Sequence, residues 1–236
     1  MHTKISNLDT SDNLITKLGD HIAKLISVAD KNNKRFSWLL SGGRTPELLF
    51  DYMNQYWSGR LNWQLVDVFW VDERCVDIHS KDSNYGQAYR KLFQYCNGVT
   101  LYPMFVGGNL NNATYKYQKE VCNYIDKWSA FDLTLLGIGE DGHFASLFCK
   151  EDFISAKLVL INSSERHPHK RMTMNMPLIL NSKSIVVLAI GQAKGIAFKE
   201  KKGIIDSLPM CCEFWVDSEF LKVLKNKRSE ELNEDK

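Results

Sequence analysis

The chain has 236 residues, of which 30 are Lys or Arg and 28 are Asp or Glu, so its formal net charge is +2. Hydrophobic residues make up 44% of the chain, which is typical of a globular protein and excludes a disordered one. The near-neutral charge gives no reason to expect nucleic acid or an anionic membrane surface as a partner.

Targeting and cysteine signals indicate a cytoplasmic protein. No run of about 18 apolar residues predicts a membrane-spanning helix. The opening residues lack the apolar core of a secretory signal. The six cysteines include no Cys-x-x-Cys pair, a pattern that indicates neither a zinc site nor a disulfide framework, so we expect reduced thiols.

Strand and helix patterns alternate along the chain, separated by glycine-containing or polar turns. In chain order they predict a helix over 12–30, a strand over 36–40, a helix over 47–56, a strand over 66–71, helices over 84–95 and 112–128, strands over 131–136, 157–161, 172–176 and 185–190, a helix over 192–201, a strand over 214–217 and a helix capped by Ser218. Such alternation predicts an α/β fold: an open, mostly parallel sheet with helices on both faces, a Rossmann-like three-layer sandwich. We expect a single domain over 1–236, with a charged tail that frays from about residue 225.

Ligands of open parallel sheets bind outside the carboxyl ends of the strands. Four segments follow predicted strands directly, at 41–45, 72–74, 137–143 and 191–194. We expect all four to face one crevice.

The spacing Gly137-x-Gly139-x-x-Gly142 after a strand matches the dinucleotide-binding pattern. That site needs a neutral loop leading into a helix, whereas Glu140 and Asp141 would repel a pyrophosphate. The acidic ribose partner expected about 20 residues later is also missing from 159–164. We therefore expect no nicotinamide or flavin, and no other cofactor.

The segment Ser41-Gly42-Gly43-Arg44-Thr45-Pro46 has the features of an anion-binding loop. Gly42 and Gly43 allow the backbone to approach an anion, and Arg44 and Thr45 add donors beside a helix N-terminus. Thr45 is the predicted N-cap, with Pro46 at the first helical position. A tight turn with an exposed arginine explains the same spacing equally well.

Other strand-end residues carry chemistry that is weaker when each is taken alone. Asp141 and His143 place an acid and an imidazole two residues apart, but a loop histidine bonded to backbone fits as well. Arg74 and Lys194 are equally consistent with solvated surface positions. No third ligand stands at convincing spacing from the acid and imidazole, so we expect no metal. Ser146 lies beyond the glycine turn and lacks the elbow motif of a serine nucleophile.

Taken together, these motifs resemble the 6-phosphogluconolactonase family, in the expected order from about residue 10 to 222. The motifs are Leu40–Pro46, Trp70–Arg74, Leu136–Phe148, His167–Thr173, Gly191–Lys194, Leu208–Pro209 and Phe214–Asp217. One departure is Cys149, where the family usually has proline. Restoring that proline should stabilise the fold by about 0.4–1 kcal/mol if the local φ suits it. The sister family of glucosamine-6-phosphate deaminases typically has Asp-Glu-Tyr at 72–74 and a different run after His143.

The resemblance implies hydrolysis of 6-phospho-D-glucono-1,5-lactone to 6-phospho-D-gluconate in the oxidative pentose phosphate pathway. His143 would be the base that activates water, with Asp141 supporting its ring, and Arg74 would bind either the phosphate or the carbonyl oxygen. The implied phosphate-binding residues are Gly42, Gly43, Arg44, Thr45, Arg171 and Lys194. The expected partner is this small-molecule lactone, bound by a monomer or small homo-oligomer.

Two alternatives remain open at this point. One is a glucosamine-6-phosphate deaminase or isomerase that uses Asp72 for proton abstraction. The other is a sugar-phosphate-binding protein without turnover.

Overall fold

The computed structural model describes residues 4–7 and 10–225. Within these ranges no helix is long and apolar enough to cross a membrane. The charged tail predicted to fray beyond about residue 225 lies outside the described residues.

The described residues form ten strands and six α-helices, and residues 218–225 form a further helical segment. The strands are β1 Lys4–Asn7, β2 Phe36–Leu40, β3 Val66–Trp70, β4 Asp72–Arg74, β5 Thr100–Tyr102, β6 Leu133–Gly137, β7 Val159–Ser164, β8 His167–Met174, β9 Ile185–Ala189 and β10 Cys212–Val216. The helices are α1 Ser11–Lys31, α2 Arg44–Trp57, α3 Asn84–Lys91, α4 Leu110–Trp128, α5 Met176–Leu180 and α6 Gln192–Lys199.

Seven strands form one sheet in the order β1-β10-β9-β6-β2-β3-β5, with every neighbouring pair parallel. This confirms the predicted α/β fold. The strands β2, β3 and β9 are buried at every position, as expected for parallel strands covered on both faces.

Aromatic side chains from successive residues of β3 show that both faces are covered. Neighbouring residues of a strand point to opposite faces. Phe69 packs against Tyr124 of α4, with ring centroids 4.9 Å apart. Trp70 packs against Phe93, with centroids 6.4 Å apart, and Phe93 in turn contacts Phe50 of α2. The helices α4 and α2 therefore lie on opposite faces, giving the predicted three layers.

A second sheet, β4-β8-β7, is antiparallel and was not predicted. The chain leaves β3 through Val71 and enters β4 at once, so this small sheet sits at the carboxyl end of the large one. Its hairpin β7–β8 alternates exposed and half-buried positions over much of its length. The sequence there lacks the apolar run from which a buried strand is predicted, so the hairpin was missed.

Several element boundaries were also wrong. The predicted strand 172–176 is the end of β8, and Met176 begins α5 because the Asn175 side chain accepts its N–H. The predicted helix 84–95 ends at Lys91 and continues as a separate 3₁₀ turn over Phe93–Tyr95. The edge strands β1 and β5 are only four and three residues long, too short for a periodic signal.

Candidate active site

A cavity of about 670 Å³ opens at the carboxyl ends of the parallel strands. Residues from all four predicted strand-end segments line it, so the expectation of a single crevice was correct. Every predicted site residue contributes to its wall: Gly42, Gly43, Arg44, Thr45, Arg74, Asp141, His143, Arg171 and Lys194. The structure therefore brings all nine of these residues together around one cavity.

Two helix N-termini mark one end of the cavity. The residue before α2 is Gly43 at φ +105°, and the residue before α6 is Gly191 at φ +92°. Neither helix has a side-chain cap, so their first N–H groups remain available to an anion. The prediction of Thr45 as N-cap was wrong, because the left-handed glycine turns the chain into the helix earlier, at Arg44.

The hydroxyl of Thr45 has a different partner, since Lys194 Nζ donates to Thr45 Oγ1 at 2.9 Å. Burial lowers the pKa of Lys194 to about 8, and the positive charge of Arg44 adds to this effect. The Arg44 guanidinium itself is 94% exposed and lies 3.7 Å from Glu140. In the part of the chain that the structure describes, Lys194 is therefore a half-buried ammonium without a carboxylate in contact, which favours binding of an external anion.

Gly42 is fixed by a contact that sequence analysis did not find. A Cβ at this position would lie 1.9 Å from Oδ1 of Asn84, so only glycine leaves room for that side chain. Asn84 Nδ2 donates to the Asp72 carbonyl at 2.9 Å, while its Oδ1 is buried on the cavity wall without a partner. No local signal in the sequence links Gly42 to Asn84.

Glu73 is a buried support for this wall. Its carboxylate accepts the backbone N–H groups of Arg74, Asn84 and Tyr85 and the hydroxyl of Ser83. Burial raises the pKa of Glu73 to about 7, and the three backbone donors oppose that rise. The side chain joins β4 to the start of α3.

The other end of the cavity holds the Asp141–His143 pair. His143 Nδ1 donates to Asp141 Oδ1 at 2.5 Å, and this bond holds the pKa of the carboxyl group well below its usual range. With Nδ1 engaged, Nε2 is the basic nitrogen of the ring. A Cβ on Gly139 would lie 2.3 Å from His143 Nδ1 and 2.4 Å from Asp141 Oδ1, so this glycine makes the pair possible.

The loop that carries the pair is held against a second loop by two more glycines. A Cβ on Gly142, at φ +84°, would lie 1.8 Å from the Lys202 carbonyl. A Cβ on Gly203 would lie 2.5 Å from the Asp141 carbonyl. After β6 the chain forms turns and short bridges instead of the helix that a dinucleotide-binding loop requires.

His167, from the start of β8, lies beside this pair. Its Nε2 is 3.8 Å from Asp141 Oδ2, and its ring centroid is 4.9 Å from that of His143. The expectation that the acid and imidazole lack a third neighbour of ligand type was wrong. Ligand atoms of the three side chains lie within 4.8 Å of one another, a spacing that could accommodate a divalent cation. Antiparallel pairing, which the sequence does not reveal, brings His167 there.

Arg74 and Arg171 face each other across the β4–β8 pair. Arg74 Nη1 donates to the Asp82 carbonyl at 2.8 Å, and Arg171 Nη1 lies 3.7 Å from Asp72 Oδ2. The Nε atoms of both arginines are buried without a partner. Burial is the main cause that lowers the pKa of His167, followed by the neighbouring His143. The positive charges of Arg171 and Arg74 lower it further, so these arginines act on the histidine end of the cavity.

Beneath this end, Ser146 Oγ donates to Asp72 Oδ2 at 2.6 Å, and both residues are buried. The Ser146 hydroxyl is thus engaged with Asp72.

Cys149 does not meet the condition set for proline. Its φ is −144°, far from the value of about −65° that proline requires. Its N–H donates to Asp152 Oδ2 at 3.2 Å, and proline would remove that bond. The loop therefore has its own conformation here.

The fold and site define an α/β protein whose strand-end cavity holds two helix N-termini at one end and an acid–imidazole pair at the other. The chain belongs to the glucosamine-6-phosphate isomerase/6-phosphogluconolactonase family, whose model matches residues 9–211. This confirms the family predicted from the sequence motifs.

Known proteins extend the comparison. The chain is 32% identical over 194 residues to the human GDH/6PGL endoplasmic bifunctional protein, covering 78% of this chain but only 24% of that protein. It is also 32% identical over 205 residues to the 6-phosphogluconolactonase of Chlamydia pneumoniae, covering 82% of this chain and 78% of the relative. The structure of the Trypanosoma cruzi 6-phosphogluconolactonase superposes with a TM-score of 0.81 at 22% identity, covering 94% of this chain and 96% of that one. That likeness shows the shared fold.

Proposed function

We propose that the chain is a 6-phosphogluconolactonase, which hydrolyses 6-phospho-D-glucono-1,5-lactone to 6-phospho-D-gluconate in the oxidative pentose phosphate pathway. The observation that carries this proposal is one cavity with a half-buried ammonium and two uncapped helix N-termini at one end and an acid–imidazole pair at the other. The relative from Chlamydia pneumoniae, aligned over most of both chains, supports the same activity.

The phosphate is the anchor of this substrate. Lys194, Thr45 and the N–H groups that follow Gly43 present donors without a resident carboxylate in contact with the ammonium. A charge-assisted hydrogen bond of this kind contributes about 1.5–3 kcal/mol. Arg44 lines the same wall, where its exposed guanidinium adds long-range attraction.

The imidazole of His143 is the base. Its Nε2 takes a proton from water as the water oxygen bonds to the lactone carbonyl carbon. The ring becomes imidazolium, which Asp141 stabilises through the Nδ1–H bond. The tetrahedral intermediate then breaks its bond to the ring oxygen, and that oxygen takes up the proton. A positioned base of this type contributes about 10²–10⁴-fold in rate.

Arg74 and Arg171 stabilise the carbonyl oxygen as it becomes negative. We assign them to this end because Arg74 pairs with Arg171 across β4 and β8, and β8 is the strand that also carries His167. Both side chains line the cavity and are held by the protein, Arg74 by the Asp82 carbonyl and Arg171 beside Asp72, so their guanidinium donors need no reorganisation. For Arg171 this assignment differs from the phosphate role that the family resemblance implies.

A stopped assay on freshly generated lactone, corrected for spontaneous hydrolysis, tests the proposal. We expect enzyme-dependent formation of 6-phosphogluconate and a far lower kcat/KM for unphosphorylated gluconolactone. Release of ammonia from glucosamine 6-phosphate without lactone hydrolysis would instead support the deaminase. Calorimetric binding of the sugar phosphate without either turnover would support a binding protein.

Location and assembly are further parts of the proposal. We propose a cytoplasmic enzyme that acts as a monomer or small homo-oligomer on a small-molecule substrate, with no nucleic acid partner. Cell fractionation and light scattering on the purified chain test these two points.

A further inference from the structure

One half-buried polar group at the site has no role in the chemistry described above. His167 lines the main cavity, and its Nε2 is buried without a hydrogen-bond partner among the described residues. A buried donor or acceptor left unpaired costs about 1–3 kcal/mol, so its presence beside a catalytic pair needs an explanation.

The ring of His167 is fixed by aromatic neighbours. It stacks on Phe148, with centroids 5.2 Å apart and planes 27° apart, and meets the His143 ring nearly edge-on. These contacts aim Nε2 at Oδ2 of Asp141, which is 3.8 Å away. The other oxygen of that carboxylate, Oδ1, already accepts from His143. Arg166 also lies near Oδ2, with its Nη1 4.0 Å away, but its side chain is 76% exposed.

We propose that His167 is a positioning residue, whose Nε2–H donates to Asp141 Oδ2 once substrate fills the cavity and so fixes the carboxylate that orients His143. The proposal rests on the lactonase function. Catalytic hydrogen bonds are often long in an empty site and shorten in the substrate complex, so a closure from 3.8 Å is of the expected kind.

A neutral donor suits this position better than a cation. Burial lowers the pKa of His167, the neighbouring His143 and the positive charges of Arg171 and Arg74 lower it further, and Asp141 opposes them. A neutral imidazole can therefore hold Oδ2 without cancelling the negative charge that stabilises the His143 imidazolium. A lysine or arginine held at the same distance would lower the basicity of His143.

Strand β8 also provides a matched control. His167, His169 and Arg171 alternate along one face of the strand, and His169 has a single carboxylate neighbour, Asp82, at 3.3 Å from its Nε2. His169 has no contact with the Asp141–His143 pair among the interactions of the described residues. Substitutions at 169 therefore reproduce a histidine loss on the same strand without touching the pair.

Two variants separate hydrogen bonding from packing. His167→Phe keeps the stacking on Phe148 and removes the donor, whereas His167→Gln loses the ring and keeps an amide N–H near the position of Nε2. We expect His167→Phe to lower kcat about tenfold on both the phosphorylated and unphosphorylated lactone, with KM unchanged. His167→Gln should retain most of the wild-type kcat, and His169→Phe and His169→Gln should stay within about twofold. The opposite order, an active Phe variant and an impaired Gln variant, would reduce His167 to a packing residue and overturn the proposal.

A measurement that does not depend on turnover tests the same contact. Long-range ¹H–¹⁵N spectra of histidine-labelled wild type, with 6-phosphogluconate bound, report which ring nitrogen of His167 carries the proton. The signal of His167 is assigned by its loss in His167→Gln. The Nε2–H tautomer is the expected result, and an Nδ1–H tautomer would contradict the proposal even if His167→Phe failed to fold. Absence of lactone hydrolysis by the wild type would instead refute the proposed function, leaving this spectrum to judge the contact.

Discussion

Lys194 should make phosphate binding depend on pH in a range where the ligand itself does not titrate. The pKa of its ammonium is lowered to about 8, first by burial and then by Arg44. The second pKa of a phosphate monoester is about 6, so the ligand is a dianion throughout the range above pH 7. Bound dianion favours the charged lysine, so affinity is full below pH 8 and falls as pH rises through it.

The size of the effect follows from the titration of one group. With a pKa of about 8, about half of the free protein carries the Lys194 proton at pH 8 and about one molecule in eleven carries it at pH 9. The Kd for a phosphorylated ligand should therefore rise about tenfold between pH 7 and pH 9. Removal of the ammonium in Lys194→Ala should weaken binding at pH 7 by about 10–150-fold, equivalent to about 1.5–3 kcal/mol.

Calorimetry with 6-phosphogluconate avoids the spontaneous hydrolysis of the lactone. Titrations at pH 7, 8 and 9 in two buffers of different ionisation enthalpy give both Kd and the protons taken up on binding. We expect an uptake of about 0.4–0.5 proton at pH 8 and of up to about 0.85 proton at pH 9. Lys194→Arg is the control, because a guanidinium stays charged at pH 9 and should give a Kd independent of pH over this range.

Two results would refute this reasoning. One is a Kd for the wild type that is constant from pH 7 to pH 9 without proton uptake. The other is an equal loss of affinity in Lys194→Ala for 6-phosphogluconate and for gluconate, which lacks the phosphate. Either result would remove Lys194 from the phosphate site.

Three further predictions concern the catalytic pair, the loop beyond it and metal dependence. His143→Ala should lower kcat by about 10²–10⁴-fold with KM within a few-fold in steady-state assays, and retention of half the wild-type kcat would exclude it as the base. Cys149→Pro should lower the free energy of unfolding in urea by about 1–3 kcal/mol, because φ is −144° and the N–H bond to Asp152 is lost; unchanged stability would show that the loop can adopt the proline geometry. Treatment with EDTA should leave kcat unchanged, because the chemistry proposed for Asp141 and His143 needs no ion; a loss that added zinc reverses would contradict it.

The end of the cavity with the two helix N-termini and Lys194 is the proposed phosphate site, and we call it the anion end. Much of it could be predicted from the sequence, because its signals are local. The continuous apolar run of β2 predicts a buried parallel strand, and the glycine turn after it predicts a helix N-terminus at its carboxyl end. The same rule brought Lys194 to the cavity, since only Ile190 separates the end of β9 from Gly191. Only the start of α2 was misplaced, since capping preferences favoured Thr45 over a glycine at positive φ.

The histidine end could be predicted only in part, because it depends on contacts between distant segments. Asp141 and His143 are close in sequence and follow β6. His167 and Arg171 arrive through β8, whose first half is polar because it forms an outer hairpin with β7. No periodicity reveals which residue of such a hairpin will face the cavity. His167 therefore belongs to a sequence motif that by itself predicts no role for it.

The two ends of the cavity differ in what fixes their geometry, and this difference governs how each responds to change. The anion end presents backbone N–H groups of α2 and α6, which persist whatever side chains surround them. Each substitution of a side chain there should therefore change the affinity for phosphate independently of the others. The histidine end depends on the absence of side chains at Gly139 and Gly142, where a Cβ would lie 2.3 Å from His143 Nδ1 and 1.8 Å from the Lys202 carbonyl. A single added methyl group there must displace the pair or the backbone beside it. Turnover should therefore be lost more abruptly than phosphate binding as this site diverges.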